Sequence, residues 1–420
     1  MTNPAEARDG RLSFVWRLGF LYAALFLVVG CYLPYLPVWL SWRALDADQI
    51  AVLLAAPLYT RILFTPAISF AADKLGDRRA VLILLAWGSV ASFFLLWISS
   101  GFWQMLLATI LLAANWTTIM PLIEAVAVSG IRSRGLDYGR VRLWGSLSFI
   151  VASLGAGLAI QTLGPGAVLP LLLGAALLTA VGTHLLPRNM EGGGPTALAM
   201  LRRLKLSDAF ALAGTPLFLL FLLAASLIQG SHALLYAFGS LHWRAQGLSG
   251  GTIGALWSLG VIAEVFLFAM SGRLIAAYGA SRLLLLAGFA TTLRWSFMAI
   301  DPPLWATALL QTLHAMSFGA AHIAAIHFLA NAVPEDRAGT AQGLYAAVVA
   351  GLVLGSITIA SGPLYRTLGD EAYGVMALLA LIGALCAVAL LRRWQGGLII
   401  GGIEAQPQSA GGAGKAEPDL

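Results

Sequence analysis

The amino-acid sequence predicts an all-α integral membrane protein whose twelve transmembrane helices form two pseudo-symmetric bundles of six. Three observations predict this fold class. The chain has 420 residues, of which 59% are hydrophobic and only 10% are charged, whereas soluble domains carry about 25% charged residues. Apolar runs long enough to cross a bilayer recur along the chain in two sets of six. The basic residues gather on alternate sides of those runs.

The apolar runs define spans, which we number 1 to 12 in chain order. The first six runs are centred near residues 27, 58, 90, 115, 152 and 176, and the last six near residues 227, 260, 291, 317, 350 and 381. The run over residues 14–40 is longer than the roughly 7–15 apolar residues of a cleavable signal peptide. We therefore expect it to be span 1 and not a leader.

The longest polar interval inside the chain separates the two sets of six. It contains four basic residues and the segment Gly192-Gly193-Gly194-Pro195, a composition typical of linkers. After Arg393 the chain becomes rich in Gly, Ala, Gln and Pro, which favours disorder. The predicted organisation is a cytoplasmic tail (1–13), a six-helix bundle (14–186), a cytoplasmic linker (187–212), a second six-helix bundle (213–393) and a disordered cytoplasmic tail (394–420).

The distribution of basic residues predicts the orientation of the chain. Nineteen of the 25 Lys and Arg residues, counting Arg142 among them, fall on the side of the N-terminus and three on the opposite side. Cytoplasmic loops carry such an excess, so we expect both termini in the cytoplasm and a location in the cell inner membrane. Because no segment combines a basic face with interleaved aromatics, the net charge of +6 does not indicate nucleic-acid binding.

The two halves also share a basic turn. The segment Asp73–Arg79 lies between spans 2 and 3, and a Gly/Arg-rich segment over residues 272–282 lies between spans 8 and 9. Two repeats of six spans are typical of transporters built around a pseudo-two-fold axis. Cys31 and Cys386 lie in apolar runs without ligand spacing, and no Gly-x-x-x-x-Gly-Lys motif occurs. We expect no metal, no cofactor and no enzymatic activity.

The segment 69–79 resembles the cytoplasmic motif between spans 2 and 3 of the major facilitator superfamily. It departs from that motif at Ser69, Lys74 and Asp77, where Gly, Arg and a basic residue are usual, so a looser gate than usual is expected. The resemblance implies a gating role for Asp73, Lys74, Gly76, Arg78 and Arg79.

A narrower resemblance covers roughly residues 15–390. Residues 137–146 (DYGRVRLWGS), 229–236, 256–265 (LWSLGVIAEV) and 294–295 are similar to the phenylpropionate permease family, a branch related to proton symporters of the lactose permease type. In those relatives a Glu of span 4 and the second Arg of a Gly-Arg-x-Arg element hold substrate, which implies this role for Glu124 and Arg142. Charged residues of spans 8 and 9 couple protons there, which points to Glu264 and Arg294.

Ionisable side chains inside a membrane cost about 2.5–3.5 kcal/mol on insertion scales and are usually paired or functional. Glu124 is predicted as a partner of Arg142 and a substrate ligand, or as half of a static ion pair. Glu264 has apolar neighbours, which favour the neutral acid that a proton carrier needs; a static pair with Arg294 is the alternative. Arg61 is either a ligand of a substrate carboxylate or the counter-ion of an acid on a facing helix.

Arg142 lies about one turn into span 5 and could instead be ordinary cytoplasmic charge. With Arg61 and Arg294 it makes three deep arginines, against two deep acids. Full pairing would leave one cation over, and an unpaired cation in a low-dielectric cavity favours an anionic ligand. This expectation agrees with the aromatic acids that the family resemblance implies.

Polar side chains also share helix faces in spans 7 and 10. Gln229, His232 and Tyr236 lie on one face and are predicted to bind substrate, whereas His314 and His322 lie on one face and are predicted to relay protons. Ordinary hydrogen bonds between helices are the alternative. Trp144, beside Arg142, is predicted as a flat wall of the substrate cavity.

The sequence therefore predicts a secondary transporter, a proton symporter that imports a small organic anion such as an aromatic acid. The alternatives are a sugar or nucleoside symporter, or a drug exporter of the same fold. A membrane enzyme that uses His314 or His322 as a base is disfavoured because no nucleophile accompanies them. The expected partners are the substrate, protons and the bilayer, with the chain as a monomer.

Overall fold

A computed structural model describes residues 4–134, 138–187 and 206–401. Within these ranges the regular secondary structure is helical, and eleven segments are long and apolar enough to cross a membrane. The last segment, Glu335–Arg393, has 59 residues and is interrupted at Gly369, which has a φ of 58°. Dividing it there gives twelve spans at the predicted places, so the predicted fold class is confirmed.

The helices of the first half follow the predicted order. They are Pro4–Trp42 (span 1), Ala47–Leu75 (span 2), Arg78–Ile98 (span 3), Phe102–Trp116 and Ile119–Arg134 (span 4), Tyr138–Leu163 (span 5) and Val168–Leu185 (span 6). The helix of span 1 begins within the predicted N-terminal tail.

The second half contains more interruptions. Its helices are Pro216–Gly230 and Ala233–Ala245 (span 7), Gly250–Ala269 (span 8), Ser271–Met298 (span 9), Leu304–Thr312 and Ala321–Ala332 (span 10), Ala338–Tyr345 and Leu354–Leu368 (span 11) and Ala372–Arg393 (span 12). Two π-helical turns, Ala315–Ala320 and Ala346–Val353, join the helices of spans 10 and 11.

Two further segments lie where the linker and the C-terminal tail are predicted. A short helix, Leu206–Ala213, occupies the end of the linker region. After span 12, Trp394 packs edge-on against Phe328 with ring centres 4.7 Å apart, and the amide of Ile399 donates to the carbonyl of Ala332 at 2.9 Å. Residues 188–205 of the predicted linker and 402–420 of the predicted tail lie outside the described residues.

Three turns of the first half have counterparts in the second half, and each contains a residue with positive φ. The matched pairs are Ala44 (62°) and Gly247 (83°), Gly76 (71°) and Gly279 (67°), and Gly164 (82°) and Gly369 (58°). The first pair belongs to the similar sequences Ala44-Leu45-Asp46 and Gly247-Leu248-Ser249, whose last residues cap spans 2 and 8. These matched turns show the predicted pseudo-symmetry directly.

Ala44 provides a test of this correspondence because it has a side chain where its counterpart Gly247 has none. A left-handed conformation costs an L-residue about 1–2 kcal/mol. We therefore expect Ala44→Gly to raise the free energy of unfolding by about 1 kcal/mol and Gly247→Ala to lower it by a similar amount. Thermal unfolding of both purified variants in detergent measures this; a lower midpoint for Ala44→Gly than for wild type would contradict it.

The two halves share a hydrophobic core at only one end. One buried cluster combines residues of both halves, among them Tyr35, Ile50 and Trp257. It lies at the end of the molecule that contains the loops between spans 1 and 2 and between spans 7 and 8. We call this end the far side. Two other clusters, one per half, lie toward the opposite end, the terminus side. The space between the halves therefore opens toward the terminus side.

Small residues bring the halves together at the far side. Gly157 of span 5 and Gly250 of span 8 approach so closely that a Cβ on either would collide with the carbonyl of the other. The Ser153 hydroxyl donates to the Gly254 carbonyl at 3.2 Å, and the Tyr35 hydroxyl lies 2.8 Å from the Ser153 carbonyl and 3.3 Å from that of Gly250. Such close backbone contact is typical of helix interfaces in membranes.

The pseudo-symmetry repeats this contact between spans 2 and 11. A Cβ on Gly362 would lie 2.9 Å from the carbonyl oxygen of Ala47. An exposed ion pair, with 3.3 Å between Arg366 Nη2 and Asp48 Oδ2, borders it. Gly157 and Gly362 hold equivalent positions before the matched turns at Gly164 and Gly369, so the far side is sealed by the same contact made twice.

Candidate functional site

Arg294 of span 9 is fully buried and forms the centre of a polar cluster. Its guanidinium donates to Gln311 Oε1 at 2.8 Å, to Ser317 Oγ at 3.1 Å and to His314 Nδ1 at 3.2 Å. Its Cζ atom lies 4.5 Å from the ring centre of Trp295. Among the described residues no carboxylate forms an ion pair with Arg294. The alternative of a direct Glu264–Arg294 pair is therefore wrong for this conformation, because His314 lies between them.

The partners of His314 define its tautomer. Arg294 is permanently charged and can only donate, so the Nδ1 atom that it contacts carries no proton. The proton of neutral His314 is then on Nε2, which lies 3.9 Å from Glu264 Oε2. His314 thus presents a neutral N–H group to the Glu264 carboxyl group.

His232 of span 7 is held in the opposite tautomer. Its Nδ1 atom lies 3.1 Å and 3.2 Å from the carbonyl oxygens of Ile228 and Gln229, so Nδ1 carries the proton. Its Nε2 atom lies 3.1 Å from Ser317 Oγ and can accept that hydroxyl proton. Spans 7, 9 and 10 are therefore joined through Ser317, which lies in a π-helical turn of the kind often found at functional sites.

Glu264 of span 8 is the acid at the open edge of this cluster, with a side chain 17% exposed. Span 5 runs antiparallel to span 8 from their contact at Gly157 and Gly250. Counting toward the terminus side from that contact places Arg142 at the same level as Glu264. Arg142 is the charged neighbour that acts electrostatically on Glu264. A charge of the first half therefore faces the one acid of the second half's cluster.

Arg142 and Trp144 point in different directions. The Cζ atom of Arg142 lies 4.2 Å from the ring centre of Phe26 in span 1. Trp144, two residues on, is 41% exposed and packs against Trp16 with ring centres 5.9 Å apart. Two residues turn a helix by about 200°, so Trp144 lies with exposed aromatics of the kind found at membrane interfaces. The structure does not bring it to Arg142, Glu264 or the histidines.

Glu124 lies half-buried in the helix Ile119–Arg134 of span 4. Its predicted partnership with Arg142 stays a prediction.

Arg61 is half-buried in span 2 and has no hydrogen-bond or ion-pair partner among the described residues. Its neighbours connect span 2 to the other half: the hydroxyls of Tyr59 and Ser356 lie 2.8 Å apart, and Ile62 packs against Gly351. Arg61 is therefore an unpaired cation beside the boundary between the halves.

Aromatic rings extend the cluster in two directions. The Tyr236 ring stacks on Trp257 of span 8, with ring centres 6.2 Å apart. In span 10 the rings of His314, Phe318 and His322 stack in succession, with centres 5.2 Å and 6.4 Å apart. Both predicted histidines of span 10 thus belong to one ladder, although His322 is far from Arg294 along it.

Gln229 is buried, and its side-chain oxygen Oε1 has no hydrogen-bond partner among the described residues. Its predicted role in substrate binding stays a prediction.

The predicted gating motif is built within the first half. Arg78 forms an ion pair with Asp73 at 2.9 Å, and Arg79 donates to the carbonyls of Leu186 and His184, each at 2.8 Å. Gly76 ends span 2 in a left-handed conformation, and Lys74 is exposed. The departure at Asp77 has a structural reason, since its carboxylate caps span 3 by accepting from the Ala80 amide at 2.8 Å.

Sequence reasoning missed two residues of the cluster, Gln311 and Ser317. They lie three residues before and three after His314. That spacing on a span already singled out for its histidines is the signal that could have found them.

Comparison with known proteins adds family information to this geometry. The sequence model of the MFS_1 like family matches residues 15–373. The chain is 31% identical over 375 residues to the "Probable 3-phenylpropionic acid transporter" of Escherichia coli (strain K12), covering 86% of this chain and 93% of that protein. It is also 31% identical over 384 residues to the "Maltose permease" of Geobacillus stearothermophilus, covering 89% and 93%.

Among solved structures, that of the nucleoside transporter NupG aligns with a TM-score of 0.78 over 90% of this chain and 98% of that chain, at 18% identity. At this identity the likeness supports the fold alone. These relatives and structural neighbours are membrane transporters and not enzymes.

Proposed function

The chain belongs to the MFS_1 like family of membrane transporters, and we propose that it is a proton-coupled symporter that imports a small organic anion such as an aromatic acid. The observation that carries this proposal is the series of contacts from Arg294 through His314 to Glu264, together with Arg142 of the first half as the charged neighbour of Glu264. Glu264 is an acid of the second half whose charged neighbour, Arg142, belongs to the first half. A proton on that acid changes the attraction between the halves.

Glu264 is the proton carrier in this proposal. Its neighbour His314 has Nδ1 occupied by a donor and Nε2 already protonated, so His314 orients the carboxyl group and does not itself take up the proton. His322, further along the ladder and half-buried, is the one of the two predicted proton-relay histidines of span 10 that remains able to exchange protons. His232 holds span 7 in place through Ser317.

Arg142, Glu124 and Tyr236 are the proposed contacts of the substrate in the space between the halves. Protonation of Glu264 and binding of substrate each bias the equilibrium between states open to either side of the membrane. The conformation seen, sealed at the far side, corresponds to an inward-open state if the terminus side faces the cytoplasm, as the excess of basic residues predicts. We propose a location in the inner membrane and a monomer.

A sugar is the second candidate substrate, because the maltose permease is as similar in sequence as the phenylpropionic acid transporter. The proton-coupling part of the proposal is common to both candidates. The two candidate substrates differ in charge, since an aromatic acid is an anion and a sugar is neutral.

Uptake into liposomes tests the proposal. With purified protein and an imposed gradient of one pH unit, we expect an aromatic acid to accumulate up to about tenfold when one proton accompanies each substrate. A protonophore should abolish the accumulation, and sugars and nucleosides should not accumulate. If no member of a panel of acids, sugars and nucleosides shows uptake that depends on the gradient, proton symport is wrong.

A further inference from the structure

The pseudo-symmetry relates Arg61 to Glu264. Both residues lie the same number of residues after the matched positions Ala44 and Gly247, and the same number before the matched glycines Gly76 and Gly279. The two halves therefore place opposite charges at equivalent positions, one on span 2 and one on span 8.

The same comparison identifies what faces each charge. Glu264 faces span 5, where Arg142 acts on it. The residue of span 11 equivalent to Arg142 is Ala347, since each precedes its matched glycine, Gly164 or Gly369, by the same distance in sequence. Span 11 has no acidic residue between Ala338 and Leu368. At this depth in the membrane one boundary between the halves thus contains complementary charges, whereas the other contains Arg61 and no acidic residue of span 11.

No group among the described residues neutralises the charge of the Arg61 guanidinium. Arg61 is half-buried and lies in the interior of a 29-residue helix, and no charged group among the described residues acts on it. Tyr59 and Ile62, which flank Arg61 in the sequence, contact span 11. Arg61 therefore lies at the depth in the membrane where spans 2 and 11 meet. An intramembrane arginine without a partner favours an anion that enters the space between the halves.

We infer that Arg61 binds the carboxylate of a transported monocarboxylate at the boundary between spans 2 and 11. The substrate carboxylate, at Arg61, and the transported proton, at Glu264, then occupy pseudo-symmetric positions. This inference rests on the proposed transport function. Arg61 makes the site selective for anions over neutral analogues, because its guanidinium offers a bidentate charge-assisted contact to a carboxylate and only a weaker contact to an amide. The carboxylate of the substrate takes the place of the acidic side chain that span 11 lacks at this position.

The test compares acids with their amides. Binding of benzoate, 3-phenylpropionate and their primary amides to purified protein is measured by calorimetry. Wild type should bind at least one acid about tenfold to a hundredfold more tightly than its amide, which corresponds to one charge-assisted hydrogen-bonded contact. Arg61→Ala should reduce that preference to less than about threefold, with the affinity for the amide unchanged.

A second pair of variants leaves Arg61 intact. Ala347→Glu should supply the missing acid, pair with Arg61 and remove the preference for the carboxylate, whereas the isosteric Ala347→Gln should retain it. The inference is overturned if wild type shows no preference for acids, if Arg61→Ala keeps it, or if both variants of Ala347 bind the acid equally. Gradient-dependent uptake of maltose by wild type in liposomes would leave proton symport standing while the anion site fails.

Discussion

Replacement of Glu264 by glutamine is expected to abolish accumulation while leaving exchange intact. Glutamine imitates the neutral acid but cannot release a proton, so Glu264→Gln uncouples substrate movement from the pH gradient. Under a gradient of one pH unit the accumulation ratio should fall from up to about ten to about one. Exchange of labelled for unlabelled substrate without a gradient should stay within about threefold of wild type. Both rates are measured in liposomes containing the same amount of protein.

The matched control is Glu371→Gln, which removes an exposed acid from the turn between spans 11 and 12 at the far side. It should accumulate substrate as wild type does. If Glu264→Gln accumulates substrate to the wild-type level, Glu264 is not the proton carrier, and His322 becomes the next residue to replace.

Substitution of Gly157 by valine is expected to open the far side. The added Cβ would collide with the Gly250 carbonyl and lie 2.5 Å from the Tyr35 hydroxyl. Overpacking of this kind costs about 1–3 kcal/mol, which would shift the equilibrium between sealed and open far sides by about fivefold to 150-fold. Spin labels at Ser41 and Arg244, both exposed at the far side, would report the change as a longer distance between the halves.

Gly155→Val serves as the control on the same helix. No atom lies within 4 Å of a Cβ built at Gly155, so the label distances should match those of wild type although the side chain added is the same. Unchanged distances in Gly157→Val would show that the contact with Gly250 does not seal the far side.

The number and order of the spans could be predicted from the sequence because a bilayer demands long apolar helices whatever they pack against. The matched turns could have been predicted as well, since Ala44-Leu45-Asp46 and Gly247-Leu248-Ser249 are visible in the sequence. The boundaries of the breaks inside spans 7 and 10 could not. They depend on how the polar groups of neighbouring helices satisfy the local backbone.

The candidate site was predicted in part. Arg294, His232 and His314 do come together, because charged and polar side chains inside a membrane seek one another. Ser317 and Gln311 were not predicted as site residues because neutral polar residues are common in membrane helices. Only their tertiary contacts identify them as part of the cluster. Trp144 is the converse case: its nearness in sequence to Arg142 does not place it on the same side of the helix, and its role as a cavity wall stays a prediction.

The close contact of Gly157 with Gly250 at the far side is a pivot for the separation of spans 5 and 8. Glu264 lies fourteen residues beyond Gly250, hence about 21 Å from that pivot along the helix axis. A rotation of one half by about ten degrees moves a point at that distance by about 4 Å. The attraction between unit charges a few ångströms apart falls steeply over such a displacement. The proposed protonation of Glu264 therefore acts at a depth where a small rotation of one half changes the distance between charges of the two halves by several ångströms.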